Sequence, residues 1–577
     1  MVAAHDSDVA IHGWVPLYLD LKRYRRGCGS IAGPQSWVKP RPNVDRPQPT
    51  QTSMGSVDCV HNSRLLQQQT RDFSNQFPDC EEASIRATII SAESIQILFM
   101  ITDPSLLTDL QKAFNPKTVA IVGVSRDDLN PPPGYTGLKI LRLLKEAGFA
   151  GRLYPINPKA TTIADTRVYP NIGAVPEPLD LVIVTIPAQG VPQVLGDCVA
   201  AGAVNVHICS AGFGETGEAE GKAIEEKLMG IASRNHLRVV GPNCLGYHVP
   251  SAKLMMYVHA GMTPGPVAFL SQSGGHAQDY VSYAPALGIH FSKVVSYGNA
   301  LTMDSTDFLE YLATDAETQI ICMYLEGVKD GRRLIELARQ VSRTKPIIIW
   351  KGGLTALGAR AAVTHTASLA GDGRVWDAFF KQTGAVRVGS IEELADTTMT
   401  FVRLKPMLRA RVAVVVGGGG SNVSNGDICA QEGIEVPILS GETRMRLLKL
   451  LSLTNQSLVN PIDSPATLHH PLLLRQVLET LVADPSVDLV ILHIAAFFRS
   501  KEMDEIVANF KECVSDFVRQ NPSKPVVAAV RGSDRVRGEA ELIIRELREA
   551  NITTYDSLRS ACRALRRFTD YHLFNAK

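Results

Sequence analysis

Long apolar runs are missing from this chain. No uninterrupted apolar stretch approaches the ~20 residues that a membrane-spanning helix requires, so a helical membrane protein is excluded. A surplus of either charge is missing too: 59 basic residues face 58 acidic ones, a net charge of +1. That balance supplies no field to draw in nucleic acid or a lipid surface. Aromatic residues make up only 6%. The ten cysteines form no C-x-x-C pair, so neither a zinc site nor a disulfide framework is expected. Cys209, Cys244, Cys322 and Cys429 sit in or beside apolar runs and read as small core residues. The start lacks the compact basic-then-apolar pattern of a secretory signal, and a reducing cytoplasm fits.

What the chain does have is length and aliphatic side chains. Its 577 residues give room for about three to five domains, and 45% hydrophobic content suits buried parallel strands. Residues 1–100 differ from the rest. Arg23, Arg25 and Arg26 precede a passage rich in Pro, Gln, Ser and Thr with little periodicity, the pattern of a disordered extension. A transit peptide is one competing reading, against which Asp6, Asp8, Asp20 and Asp45 count. Another is an upstream extension of the reading frame, with Met100 as the working start.

Order is expected from Asp103-Pro104, with an amphipathic segment through Phe114. The apolar run Val119–Val124 then ends in a glycine-bearing turn, and Leu138–Ala147 has helical 3–4 spacing. Further apolar runs at 153–156, 181–186, 204–208 and 239–240 alternate with helical stretches, which predicts a doubly wound parallel sheet. A second set of runs starts at Val267 and continues through Lys293–Ser296, Gln319–Leu325, Pro346–Trp350 and Gly384–Val388. A third begins at Val412, with later runs at Leu489–Ile494 and Val526–Val530. The expected fold is α/β: a Rossmann-like domain at 101–247, then flavodoxin-like domains at 248–404 and 405–577.

Glycine, proline and serine turns follow many of these strands, where open α/β sheets hold their ligands. The first turn carries Gly123, Ser125, Gly134 and Gly137, which allows backbone to approach a phosphate at a helix start. Its spacing is not the G-x-G-x-x-G of nicotinamide sites, and an ordinary tight turn reads equally well. Asn157-Pro158-Lys159, Ile186-Pro187-Ala188, Ser210–Glu215 and Gly241–Gly246 close later strands. Together they favour a long, polyphosphate-bearing ligand. Ser271-Gln-Ser-Gly-Gly275 resembles a phosphate cradle and equally a helix N-cap. Glu326 ends a strand, where a carboxylate fixes an imidazole tautomer; an ordinary exposed loop glutamate is the competing reading. Gly417–Gly420 resembles a nucleotide loop or a close domain contact, and Asn460-Pro-Ile-Asp463 reads as a structural turn. His276, His493 and the His469-His470 pair have no metal-ligand spacing.

The central stretch is Thr364–Gly371, between the Pro346–Trp350 run and a helix bearing Trp376, Phe379 and Phe380. His365 there, beside hydroxyls and a helix start, is placed to take and pass on a phosphoryl group. A capping loop whose histidine bonds only to backbone is the alternative.

From about residue 103 to the end, the order of these motifs resembles the α subunit of the ADP-forming acyl-CoA synthetases, relatives of succinyl-CoA synthetase. The resemblance runs through Phe114–Lys117, Tyr154–Lys159, Ser210–Phe213, Gly241–Gly246, Ser271–Gly274, Tyr324–Gly327, Gly358–Ala362, Thr364–Thr366, Ser368–Gly371 and Asn460–Asp463. It implies a CoA-binding domain followed by two succinyl-CoA synthetase-type domains. It implies that His365 carries the phosphoryl group and that Glu326 orients it. Ser271, Ser273, Gly274, Gly275 and Thr366 would hold phosphate. Gly123, Val124, Ser125, Arg126, Gly137, Lys159, Ile186, Pro187, Ala188, Ser210, Gly212 and Asn243 would hold coenzyme A. The implied reaction interconverts acyl-CoA, ADP and phosphate with a carboxylic acid, CoA and ATP. An ATP-grasp β subunit carrying Mg2+ is the implied partner, in an α2β2-type assembly, because no such domain follows residue 577. Ala367 replaces the family's usual glycine, Gly275-His276 is bulkier than usual, and Pro131–Pro133 lengthens the CoA loop. The runners-up are a non-catalytic CoA-binding regulatory or scaffold protein of the same fold, and a nicotinamide-dependent oxidoreductase.

Overall fold

Three mainly parallel sheets follow one another along the chain in a computed structural model. It describes residues 103–125, 136–358, 360, 372–417, 419–451, 458–496 and 501–577. The expectations for residues 1–100 lie outside these, as do His365, Thr366 and Arg126.

The first sheet holds β1 (Thr118–Val122), β2 (Arg152–Ile156), β5 (Leu181–Val184), β6 (Asn205–Ile208) and β7 (Arg238–Val240). Between them β3 (Thr162–Ile163) and β4 (Thr166–Arg167) form a small antiparallel hairpin. The second sheet holds β8 (Gly246–Val249), β9 (Leu254–Met255), β10 (Pro264–Ser271), β11 (Phe291–Ser296), β12 (Ile320–Leu325), β13 (Ile347–Lys351) and β14 (Val386–Val388). The third holds β15 (Val412–Val416), β16 (Ile462–Asp463), β17 (Leu489–Ala495), β18 (Val526–Arg531) and β19 (Thr554–Tyr555).

The strand orders are β2-β1-β5-β6-β7, β14-β13-β12-β10-β11-β8-β9 and β16-β15-β17-β18-β19. The first and third sheets, with their strands numbered as they occur, read 2-1-3-4-5, the flavodoxin-like winding. In the second sheet, antiparallel β8 and β9 extend the edge beyond β11.

Alternation along the strands explains why both faces of the outer sheets are covered. In β1, Val119 and Ile121 pack into one core while Ala120 and Val122 pack into another. In β15, Val412, Val414 and Val416 face the first of these cores, and Ala413 and Val415 face a third. One apolar core is therefore continuous across all three sheets. The covering helices are cut to match. The helix Gly331–Val341 buries Leu334, Leu337, Ala338 and Val341, a single 3–4 stripe, and Asp330 caps its start.

Polar ties reinforce the apolar seam between the first two sheets. Asn299 Nδ2 donates to Glu215 Oε2 at 2.6 Å and to Glu225 Oε2 at 3.1 Å. Thr302 Oγ1 accepts from the Val239 N–H at 2.8 Å, and Tyr311 donates to Gln111 Oε1 at 2.6 Å.

Two local expectations change. The run Gly384–Val388 yields only β14, because Gly384 takes φ 72° as the left-handed end of the helix Gly373–Thr383. Gly417–Gly420 is less of a loop than its composition promises: β15 ends at Val416 and the helix Gly419–Gln431 already contains Gly419 and Gly420.

Candidate functional site

In a doubly wound sheet, the crevice opens where neighbouring strands send their connections to opposite faces. For the first sheet this point lies between β1 and β5, and for the second between β10 and β12. The chain leaves β1 at Gly123 and β5 at Thr185-Ile186. It leaves β10 at Ser271 and β12 at Glu326.

The second crevice is laced together by Gln272. Its side-chain oxygen accepts the Glu326 N–H at 2.7 Å and the Gly327 N–H at 3.0 Å, and its backbone N–H donates to the Tyr324 carbonyl at 3.1 Å. The ends of β10 and β12 are thus fixed to each other. Glu326 is 4% exposed, so it is not an ordinary surface glutamate. Its Oε1 accepts the Tyr324 hydroxyl at 3.0 Å. Burial, and then the Glu326 charge beside it, push the Tyr324 phenol up, so that hydroxyl stays a donor.

The expected phosphate cradle divides its work. The Ser271 hydroxyl turns inward and donates to the Ser273 carbonyl at 2.7 Å. Ser273 Oγ accepts from the His276 N–H at 3.4 Å and caps the helix Gly274–Tyr283. Gly275 is exposed on the first turn. The start of this helix, with its positive dipole end, therefore opens at the same sheet edge as Glu326.

Lys351, at the end of β13, is a site residue that the sequence did not single out. Its Nζ donates to the Glu326 carbonyl at 2.8 Å and to the Gly352 carbonyl, and lies 5.1 Å from the centre of the Trp376 ring. Burial lowers its pKa to about 8, against the opposing pull of the Glu326 charge. Nearby, His276, Tyr324 and Trp350 form a ring cluster, with centroids 4.5 to 4.7 Å apart. Gly352 passes so close to Tyr324 that a Cβ there would lie 2.8 Å from the hydroxyl. The chain leaving this strand runs on toward the helix Gly373–Thr383, and the intervening residues 361–371, with His365 and Thr366, lie outside the described set.

The first crevice brings together Gly123, Lys159 and Ile186, which line one cleft of about 540 Å³. Gly123 has φ 97°, and a Cβ there would lie 2.8 Å from both Ile186 and Thr185. Gly137 backs against it: a Cβ on Gly137 would be 3.0 Å from the Gly123 carbonyl and the Val124 nitrogen. Asn157 Nδ2 donates to the Val124 carbonyl at 2.6 Å, and its Oδ1 accepts the Lys159 N–H at 2.8 Å, leaving the Lys159 side chain exposed. Ser210 donates to the Ile186 carbonyl at 2.5 Å, and the Asn243 N–H donates to the Ser210 carbonyl at 2.9 Å. Gly212 sits against Ala188, and a Cβ on Gly212 would lie 3.4 Å from the Ala188 Cβ. Pro187 and Ser125 are exposed at the same edge. Ser210, Asn243, Ala188 and Gly212 therefore buttress the crevice wall, whereas Gly123, Lys159 and Ile186 line it.

Such an arrangement pairs a cleft of ligand size with a neighbouring edge equipped with helix-start N–H groups, a buried carboxylate and a buried amine. It suits a phosphoryl or acyl transfer between two bound ligands. Among the described residues, no group of three or more His, Cys, Asp or Glu side chains is placed to hold a metal ion. No helix among them is long and apolar enough to cross a membrane.

Comparison with known proteins bears on the same two regions. Residues 117–250 match the family of the CoA binding domain, and residues 264–401 that of the succinyl-CoA ligase like flavodoxin domain. The chain is 33% identical over 474 residues to acetate–CoA ligase (ADP-forming) I subunit alpha of Pyrococcus furiosus, covering 81% of this chain and 99% of that one. It is 36% identical over 355 residues to acetate–CoA ligase (ADP-forming) I of Archaeoglobus fulgidus, covering 61% of this chain and 50% of that one. Among solved structures it is similar to dinucleotide forming acetyl-coenzyme A synthetase 1 of Ca. Korarchaeum cryptofilum in complex with phosphate and ADP. The TM-score is 0.70 at 29% identity, covering 81% of this chain and 98% of that one.

Proposed function

The chain belongs to the family of ADP-forming acetate–CoA ligases, which are acid–thiol ligases, and from that premise we propose a phosphohistidine relay centred on His365. It interconverts acyl-CoA, phosphate and ADP with a carboxylic acid, CoA and ATP.

In the ATP-forming direction a phosphate oxygen attacks the thioester carbon. The C–S bond breaks, CoA leaves as the thiol after taking a proton, and acyl phosphate remains. An imidazole nitrogen of His365 then attacks phosphorus, and the P–O bond to the acyl group breaks to release the carboxylate. ADP finally takes the phosphoryl group from the imidazole. Each transfer develops negative charge on phosphoryl oxygens, and the start of the helix Gly274–Tyr283, with Ser273, Gly274, Gly275 and Thr366, is the assigned stabiliser. Ser271 holds that turn from within. Glu326 orients the ring and favours its charged form.

CoA is assigned to the first crevice. Gly123, Val124, Ser125, Arg126, Lys159, Ile186 and Pro187 meet it; Gly137, Ala188, Ser210, Gly212 and Asn243 shape the wall. The domains are assigned as 101–247, 248–404 and 405–577, with a separate ATP-grasp β chain binding ADP and Mg2+ in an α2β2-type assembly. Similarity to a relative named as an alpha subunit supports a partner β chain. Seven free cysteines among the described residues support a reducing cytoplasm.

The observation carrying this reading is the burial of Glu326 at the β10/β12 crevice, bonded through Gln272 and Tyr324 beside a helix start. That burial favours a positioned carboxylate over a passive loop glutamate.

The test needs no partner chain. Labelled phosphate and an acyl-CoA should place an acid-labile label on the protein. His365→Ala should abolish the label and leave CoA affinity intact. Label retained in that variant removes His365 from the role.

A further inference from the structure

The edge opposite the catalytic crevices carries a second feature. A cleft of about 690 Å³ opens at the amino-terminal edge of the third sheet, where Arg411 precedes β15, Asp488 precedes β17 and Lys524 precedes β18. Its floor is the connector that leaves the helix Ile391–Arg403 of the second sheet and enters β15. Clefts of this size hold small molecules, the usual range being about 300–1,000 Å³.

Four cations line it: Arg403, Lys405, Arg409 and Lys524. The cleft's one carboxylate, Asp488, is already answered by Arg411, which grips it at 2.8 Å through Nε and 2.7 Å through a terminal nitrogen. Arg403 donates to Asn551 Oδ1 at 2.9 Å and to the Leu287 carbonyl at 3.2 Å. Lys524 donates to the Asp484 carbonyl at 2.7 Å. These acceptors are neutral; Lys524 also feels the Asp488 and Asp484 carboxylates, whereas no carboxylate among the described residues bonds to Arg403. Burial and the neighbouring Arg548 both lower the Arg403 pKa, which marks a guanidinium short of negative charge. Lys405 and Arg409 stand exposed at the rim. In a chain whose net charge is only +1, this is a local concentration of one sign.

We propose that this cleft is a second anion site, taking a small molecule that carries two or more phosphate groups and bracing the connector between the second and third sheets. Arg403 and Lys524, from opposite walls, grip the anion, and the two rim cations draw it in. Met407 and Leu408 give the non-phosphate part an apolar side to rest on. The inference stands apart from the His365 relay: a chain that never became phosphorylated would still show this binding.

The experiment is calorimetric titration of the full chain with tripolyphosphate, and separately with ATP, beside the triple variant Lys405→Glu, Arg409→Glu, Lys524→Glu. The wild type should bind tripolyphosphate, more weakly as salt is raised, and the variant should bind at least about tenfold more weakly with CoA affinity unchanged. ATP bound more tightly than tripolyphosphate identifies a nucleotide; the reverse ranking identifies the phosphate chain alone as the ligand. Equal affinity in both proteins, or no binding by the wild type, overturns the proposal. Should the triple variant also lose CoA affinity, Lys405→Gln with Arg409→Gln decides: a weakening of about threefold or more supports the site, and unchanged affinity overturns it.

Discussion

Replacing Gln272 by methionine isolates the contribution of one side chain to the β10/β12 edge. Methionine keeps the length and bulk of glutamine but offers no strong acceptor. In the native protein the Gln272 oxygen receives the N–H groups of Glu326 and Gly327, at 2.7 and 3.0 Å, in a position only 4% exposed. Removing it leaves two buried donors, each costing about 1–3 kcal/mol when unsatisfied. The native edge relaxes to recover part of that cost, so the local opening free energy should fall by about 1.5–3 kcal/mol. Since about 1.4 kcal/mol is a factor of ten, amide exchange across residues 320–328 should accelerate by about 10- to 150-fold, measured by mass spectrometry under native conditions. Exchange over β15–β18 should not change, which separates local loosening from global unfolding. Labelling of the protein by phosphate and acyl-CoA should slow in parallel, because the Glu326 carboxylate is held through the same two amides. Unchanged exchange over 320–328 would refute the argument that Gln272 holds the edge.

Lys351 gives a pH signature. Its amine is charged below about pH 8 and neutral above, so discharging it weakens its bond to the Glu326 carbonyl and acid-labile labelling should fall as pH rises through that value. Lys351→Met should be slower throughout and lack this break; the same break in both proteins would rule the lysine out. The stability effect has the opposite sign. With a native pKa of about 8 against 10.5 in the unfolded chain, the unfolded state binds more protons between those values, and this group's contribution to stability rises with pH there. Gly123→Ala forces a side chain onto φ 97° and to within 2.8 Å of Ile186 and Thr185, a strain of about 1–3 kcal/mol. CoA affinity by titration should drop about tenfold, and wild-type affinity in this variant would remove the turn from the cleft wall.

The strands were legible because runs such as Val119–Val122 and Ile347–Ile349 are rich in β-branched residues, uninterrupted by charge and followed by turn residues or a strand end. Glu326 could be noticed for the same reason: it is the first charge after such a run. Its burial could not be foreseen, since it depends on Gln272, 54 positions earlier, and on the hydroxyl of Tyr324. Lys351 was hidden by a local rule that reads a lysine after an apolar run as the strand's return to solvent. Lys293, which the sequence places in a strand run, is buried there because Asp315 and Glu317 each meet it at 2.8 Å. The winding order of the sheets is non-local and left no trace in any single segment. Glycine in Gly417–Gly420 suits a nucleotide loop and a close domain contact equally, and Gly419 and Gly420 begin a helix, where small residues also fit.

The tie from Asn299 to Glu215 and Glu225 has a dynamic consequence. It ties the loop after β11 to the loop after β6 and to the helix Ala219–Arg234, so displacements of the first and second sheets are expected to be correlated. In the proposed relay, the gap between a thioester held by the first sheet and a phosphate held by the second should then fluctuate less than either seat does. Reacting atoms that must meet within a few tenths of an ångström gain that tolerance from common drift, without either loop having to be stiff on its own.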